Sequence, residues 1–256
     1  NGSQSSAWNN AQNWTPNGVP NGFARVLVDP AHLTGVDWPV LDMDPAVFDL
    51  TVAGGAELTI PNGRSLTVNG TLTNNGLLRQ TIDITAPTSA SFLHITGSGG
   101  TKYEGVDLTP AGAMGPTTVE IRGNQEQGCN NGNQLVQRCF DISPTTPQAA
   151  TVRFWYLEAE RQDLDPALMK AYHWNGAGWD ALDAGGEERG GVDGYHYVEV
   201  DGVNAYSPFG LADGAPSAPT AVSLQAFRGV RTNTAVFSLA LLLGLLLISG
   251  WVLRRR

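Results

Sequence analysis

Lysine and cysteine are nearly missing from this chain: among 256 residues, Lys102 and Lys170 are the only lysines, and Cys129 and Cys139 the only cysteines. Residues 1–213 hold all 24 Asp and Glu against ten Lys and Arg, a net of −14, while residues 214–256 carry five Arg and no acid. That balance excludes nucleic acid and peripheral anionic lipid as partners of the acidic part, since both are held by basic patches. Two cysteines without a nearby histidine cannot complete a zinc site. The nucleophile, phosphate and zinc signatures GxSxG, Walker loop, HExxH and CxxC are absent, which removes the familiar chemistries built on them. The four histidines, His32, His94, His173 and His196, are scattered without metal-ligand spacing. No secretory leader is visible, and a chain starting at Asn1 without Met reads as a mature form or a fragment.

Gly, Asn and Thr are abundant, a balance that favours turns and strands over helices. The clearest repeat is apolar-Thr-apolar. Leu50-Thr51-Val52, Leu58-Thr59-Ile60 and Leu66-Thr67-Val68 recur every eight residues and Leu72-Thr73 comes six later, with Gly54-Gly55, Asn62-Gly63 and Asn69-Gly70 between them. Such alternation predicts short strands with one buried face, joined at corners that Gly or Asn can turn. A meander of hairpins could use it, but strands this short favour a stacked β-solenoid of three or four coils over residues 1–110. Beyond the turn-rich PAGAMGP the texture changes. Segments 117–122, 138–143, 151–160, 170–174, 195–200 and 209–212 alternate as strands, which predicts an antiparallel β-sandwich over 111–213.

Residues 214–233 form a Pro/Ala/Ser linker. Thr234 to Leu253 then carries no charge and ends at Arg254, Arg255 and Arg256. About twenty apolar residues at roughly 1.5 Å each match a hydrocarbon core of roughly 30 Å, so 234–256 is expected to be a transmembrane helix with an arginine stop. Positive-inside logic puts the arginines in the cytoplasm and the domains outside, at the cell envelope. In an exported protein, Cys129 and Cys139, ten positions apart, are expected to form a disulfide closing a short loop.

Candidate chemistry is sparse. Asp37, Asp42, Asp44 and Asp49 crowd one stretch, as do Glu158, Glu160, Asp163 and Asp165; clustered carboxylates serve acid–base catalysis or calcium. The plainer reading, solvated loops, is preferred for both, so no catalytic, metal or cofactor residue is assigned and calcium is kept only as an option. His173 and His196 fall in strands and could pair across a sheet. Ser207 has no base partner. Trp8, Trp14, Trp174 and Trp179 could stack on sugars, with Trp174 and Trp179 the favoured pair, although tryptophans beside turns more often pack as caps or cross-strand pairs.

Two resemblances reach particular residues. Trp8-x-x-Ala11-x-Asn13-Trp14, then Asn17-Gly18-Val19-Pro20 and the Leu-Thr-Val run, resembles the capped β-solenoid start of secreted bacterial adhesin-like proteins, over roughly residues 7–80. Where that unit has an acidic residue before its first strand, this chain has Phe23-Ala24-Arg25. The tail resembles sorting signals read by sortase-type or exosortase-type peptidases, without an LPxTG or Pro-Glu-Pro signature; Pro219-Thr220-Ala221-Val222 is the candidate recognition segment. Together these imply an all-β, non-enzymatic surface protein with a structural or adhesive role. Its partners would be the membrane, a sorting peptidase, extracellular glycan or other surface proteins. The competing reading is a carbohydrate-active enzyme or sugar-binding module.

Overall fold

The computed structural model describes residues 2, 4–35, 37–123, 134–182, 187–192, 194–206 and 208–217. They form four sheets. A three-stranded sheet is parallel throughout, in the order Arg25–Val28, Asp49–Val52, Leu72–Asn74. A second runs Gly100–Tyr103, Ile95–Gly97, Thr67–Val68, Ala46–Val47, parallel except at its first pair. The two larger sheets hold seven and five strands. Every pair in them is antiparallel except Glu57–Ile60 beside Leu77–Ile84.

The local pattern explains the short strands. Leu50, Val52, Leu58, Ile60, Leu66 and Val68 are buried, while the intervening Thr51, Thr59 and Thr67 are half-buried. Alternate side chains of a strand face opposite sides, so each Leu-Thr-Val unit buries two residues and presents one. Partners in the parallel ladders, such as Arg25 with Asp49 and Leu50 with Leu72, lie a little over twenty residues apart. One core runs from Trp8 and Val26 through Phe92 and Ile121 to Phe154 and Phe209.

The expected short solenoid followed by a separate sandwich and a membrane helix needs correcting. No closed solenoid forms. Its parallel ladders belong to three different sheets, and two of those sheets continue antiparallel. The cause lies in the eight-residue strand Leu77–Ile84. Its first four residues pair in parallel with Glu57–Ile60, but its other edge takes Gly115–Arg122 in an eight-residue antiparallel ladder. Gly100–Tyr103 likewise folds back on Ile95–Gly97. Coiling stops where these antiparallel pairs begin. The sheets therefore do not divide at residue 110, since Leu77–Ile84 and Ala90–Phe92 are strands of the two larger, mostly antiparallel sheets.

Nor is the helical expectation supported. The helical segments among the described residues are one-turn pieces, Ala11–Asn13, Pro30–His32 and Glu158–Glu160, and no helix there is long and apolar enough to cross a membrane. The described apolar side chains alternate along strands instead of lining a span of about twenty residues. Thr234 to Leu253 and Arg254 to Arg256 lie outside the described residues, so the transmembrane helix, the single-pass anchor and the surface localisation built on it have no support in the structure. Cys139 is buried at the start of Cys139–Pro144 and is not a free thiol. Cys129 lies outside the described residues, and the expected Cys129–Cys139 bridge is carried no further.

Candidate functional site

Polar fastenings build the N-terminal end. Asn10 caps the Ala11–Asn13 turn by accepting from Gln12 N–H. The buried Asn13 accepts from the amides of Gln4 and Ser5 at 3.1 and 3.2 Å and donates to the Ala7 carbonyl at 2.9 Å. Trp8 is fully buried, and Trp14 meets it edge-on at 4.7 Å while its indole N–H donates to the Trp8 carbonyl at 2.8 Å. The two tryptophans are thus a packed cap. Gly18 N–H returns to the Ala11 carbonyl at 3.0 Å, which holds residues 14–20 as a flap beside the first strand.

Between that flap and Arg25–Val28 lies a cleft of about 740 Å³. Trp14, Val19 and Pro20 line one wall, Arg25 and Leu27 the other, and Ala31 and His32 contribute below. A volume of this order suits a ligand site. The strand wall is a sheet edge, because Arg25–Val28 is the outermost strand of its sheet. The carbonyls of Ala24 and Val28 accept from Phe48 and Ala53 on the inner side. Main-chain groups of alternate residues point to opposite edges, so the N–H and C=O of Arg25 and Leu27 face the cleft. Val26 and Val28 bury their side chains, while Leu27 is 52% exposed. Among the described residues no carboxylate lines the cleft, and its two basic side chains, Arg25 and His32, pair outside it with Asp49 at 3.2 Å and Asp29 at 3.1 Å.

The acids singled out in the sequence do not converge. Asp42 accepts from Asn9 N–H at 3.0 Å, Asp44 from Ser65 N–H at 2.9 Å and Asp49 from Thr71 N–H at 2.8 Å; Asp37 stays exposed at a loop. Asn62 and Asn69 do the same for Asp83 N–H and Ser98 N–H. Corners leave amides without strand partners, and a short side chain reaching from the adjacent turn satisfies them. These residues therefore lace one turn to the next. Asp49→Ala is expected to cost about 1 kcal/mol in urea unfolding, by analogy with the loss of a capping acceptor; no measurable change would show that water replaces the carboxylate freely.

The second acidic stretch is also dispersed. Glu160 pairs with Arg138, Glu158 with Arg161 and with His196 at 2.8 Å, and Asp165 caps Ala167 N–H at 2.9 Å. The Arg161 guanidinium beside Glu158 holds its carboxyl below the usual range. Among the described residues no three His, Cys, Asp or Glu gather for a metal ion. His173 and His196 lie in different sheets, and His173 packs against Phe209 at 5.4 Å. Trp174 and Trp179 stand opposite each other across a hairpin, 5.5 Å apart and edge-on. Trp174 is only 7% exposed, and Trp179 packs against Leu135, Tyr172 and Ala212, so the pair offers no open two-ring platform. Ser207 and 219–222 lie outside the described residues.

A buried polar centre that no sequence pattern announces gathers around Arg138. Arg138 is fully buried. It donates to the carbonyls of Glu104 and Trp155 at 2.5 and 3.0 Å and to Glu160 Oε1 at 2.9 Å, and lies 4.3 Å over the Tyr103 ring. Burial pushes the Tyr103 hydroxyl up to about 12. Glu104, 6% exposed, meets His94 Nδ1 at 2.5 Å; burial raises its carboxyl, the His94 charge opposes the rise, and Asp107 adds to it. Nothing near Arg138 in the sequence points to Glu160 or Tyr103 as its partners.

A family model described as a domain of unknown function, DUF8693, matches residues 1–96, the part that holds the cap, the cleft and most of the parallel ladders. No curated protein and no solved structure matches the chain.

Proposed function

We propose that this chain is a non-catalytic structural or adhesive protein that binds through the cleft between residues 14–20 and Arg25–Val28. The observation that carries this reading is the cleft's construction: an aromatic and apolar wall facing an open strand edge, with no acid among the described residues of its lining. Main-chain donors and acceptors beside apolar walls are equipment for holding a ligand in register. The carboxylates at 42–49, which an acid–base enzyme would have to aim at a substrate, are instead engaged with neighbouring amides.

The test is retention without turnover. Full-length protein is applied to arrays of immobilised polysaccharides and of extended peptides, and every retained ligand is recovered and weighed by mass spectrometry. Reversible retention of unchanged ligand is expected, weakened more than about fivefold by Trp14→Ala, since an aromatic anchor of a binding site contributes at least about 1 kcal/mol. Shortened glycan or peptide products would sink the non-catalytic reading.

A further inference from the structure

We infer that the outer edge of Arg25–Val28 is a strand-addition site for an extended peptide segment of another protein, one carrying a carboxylate side chain opposite Arg25 and an apolar side chain opposite Leu27. The inference rests on the binding reading of the cleft and narrows it to a ligand class and a geometry.

The first support is the edge itself. The seven-stranded sheet ends at Glu57–Ile60, but that edge is continued by bridges from Thr59 to Val40 and from Val40 to Ala7. Among the described residues the three-stranded sheet has no such continuation beyond Arg25–Val28. Open edges are ordinarily blunted by proline, lysine, a bulge, extreme shortness or a covering loop, and here the loop from Trp14 to Pro20 stands off the strand and leaves the cleft between them. This edge is four residues of Arg-Val-Leu-Val in unbroken register with Asp49–Val52. Its free main-chain groups, on Arg25 and Leu27, open into the cleft.

Size and charge then choose the occupant. The flap from Trp14 to Pro20 roofs the edge, and a space of about 740 Å³ admits one short strand but not the sheet of a second folded copy. Arg25 keeps 77% of its side chain exposed despite its contact with Asp49, so several of its guanidinium N–H groups remain free to donate. Among the described residues no acid lines the cleft, and Arg25, shared with Asp49 just outside it, offers an incoming carboxylate its remaining N–H groups rather than a net positive field. Leu27, half-exposed two residues on, supplies the apolar contact on the same face. All pairs inside this sheet are parallel, and a parallel newcomer would place residues i and i+2 beside Arg25 and Leu27.

The experiment uses full-length protein and fluorescein-labelled heptapeptides followed by anisotropy up to millimolar concentration. The probe is STETVTS, acetylated and amidated, with glutamate and valine two positions apart. One control has lysine for glutamate, and another has the same side chains with alternate amides N-methylated, which removes ladder donors. STETVTS is expected to bind, the lysine peptide about fivefold more weakly, as for a partly exposed ion pair, and the N-methylated peptide not measurably. Leu27→Pro removes one outward N–H while the inner bonds at Ala24 and Val28 remain, and should abolish binding with the circular dichroism unchanged. Arg25→Glu should reverse the preference between the glutamate and lysine peptides.

If Leu27→Pro does not fold, the N-methylated peptide against the unaltered protein decides alone. Absence of STETVTS binding, or binding indifferent to N-methylation, overturns the inference. Array ligands that Leu27→Pro still retains would leave the binding reading standing while strand addition falls. A dimer in sedimentation that Leu27→Pro dissolves would make a second copy the occupant and overturn the peptide assignment.

Discussion

Arg138→Met should lower the unfolding free energy by about 3–5 kcal/mol, the usual cost of removing one partner from a buried ion pair. Arg138 has no exposed surface, and its guanidinium supplies four contacts at once: the Glu104 and Trp155 carbonyls, the Glu160 carboxylate and the Tyr103 ring. Methionine fills much of the volume but donates nothing. Two carbonyls and a carboxylate that is only 14% exposed are then left without their donor. Each unpaired buried acceptor costs about 1–3 kcal/mol, more when charged. Arg138→Met with Glu160→Gln should recover part of the loss, because the stranded charge is gone. Urea unfolding followed by tryptophan fluorescence measures both. A single-variant loss below about 1 kcal/mol would mean that water enters and solvates the site.

That centre marks the limit of what the sequence could show. Period-two burial is local, so Leu58, Ile60, Leu66 and Val68 could be assigned to the inside from their spacing alone, and the structure buries all four. Most strands after residue 117 were legible for the same reason, although Glu187–Val192 was missed and Glu158–Glu160, expected as strand, is a one-turn helix; the packing of Trp8 against Trp14 beside their turn was legible too. Closure was not. Whether a row of parallel strands coils on depends on what the next free edge meets, and Leu77–Ile84 meets Gly115–Arg122 from far along the chain. No window around residue 80 contains that partner. Arg138 and Glu160 failed for a related reason: a lone arginine before a strand and a glutamate in an acidic turn each look solvated, and only the fold brings them to 2.9 Å. Asp42 and Asp44 lie in loops as read, but Asp49 opens the strand Asp49–Val52, and the acceptance of neighbouring amides by all three appears only once the turns are stacked. Of the cleft, the sequence offered the tryptophans and the Pro-Asn-Gly turns, and no indication that a strand edge lay open beside them.

Glycine substitutions should show the same distinction between local and distant causes. Gly97→Ala is expected to destabilise by about 3 kcal/mol, the upper end of typical overpacking costs. Its backbone is ordinary extended chain, so no conformational preference calls for glycine there. The constraint is distance: a Cβ would stand 1.7 Å from the Val68 carbonyl oxygen and 3.1 Å from Asn69 Cα, both backbone atoms that no rotamer change can move. Relief requires the two turns to separate, which strains the Thr67–Thr96 pairing and the bonds from Ser98 to Asn69 Oδ1 at 3.1 Å. Gly63 is the opposite case. It has open space around it but φ of +72°, so Gly63→Ala should cost about 1 kcal/mol through the backbone alone. Gly22 has neither constraint, and Gly22→Ala should be neutral or stabilise by about 0.4–1 kcal/mol as the unfolded chain loses freedom. The predicted order of loss in denaturant unfolding is thus Gly97, Gly63, Gly22. If Gly97→Ala falls within about 1 kcal/mol of Gly22→Ala, the contact between these turns relaxes easily, and the stacking of Ile95–Gly97 on Thr67–Val68 is looser than a 1.7 Å approach allows.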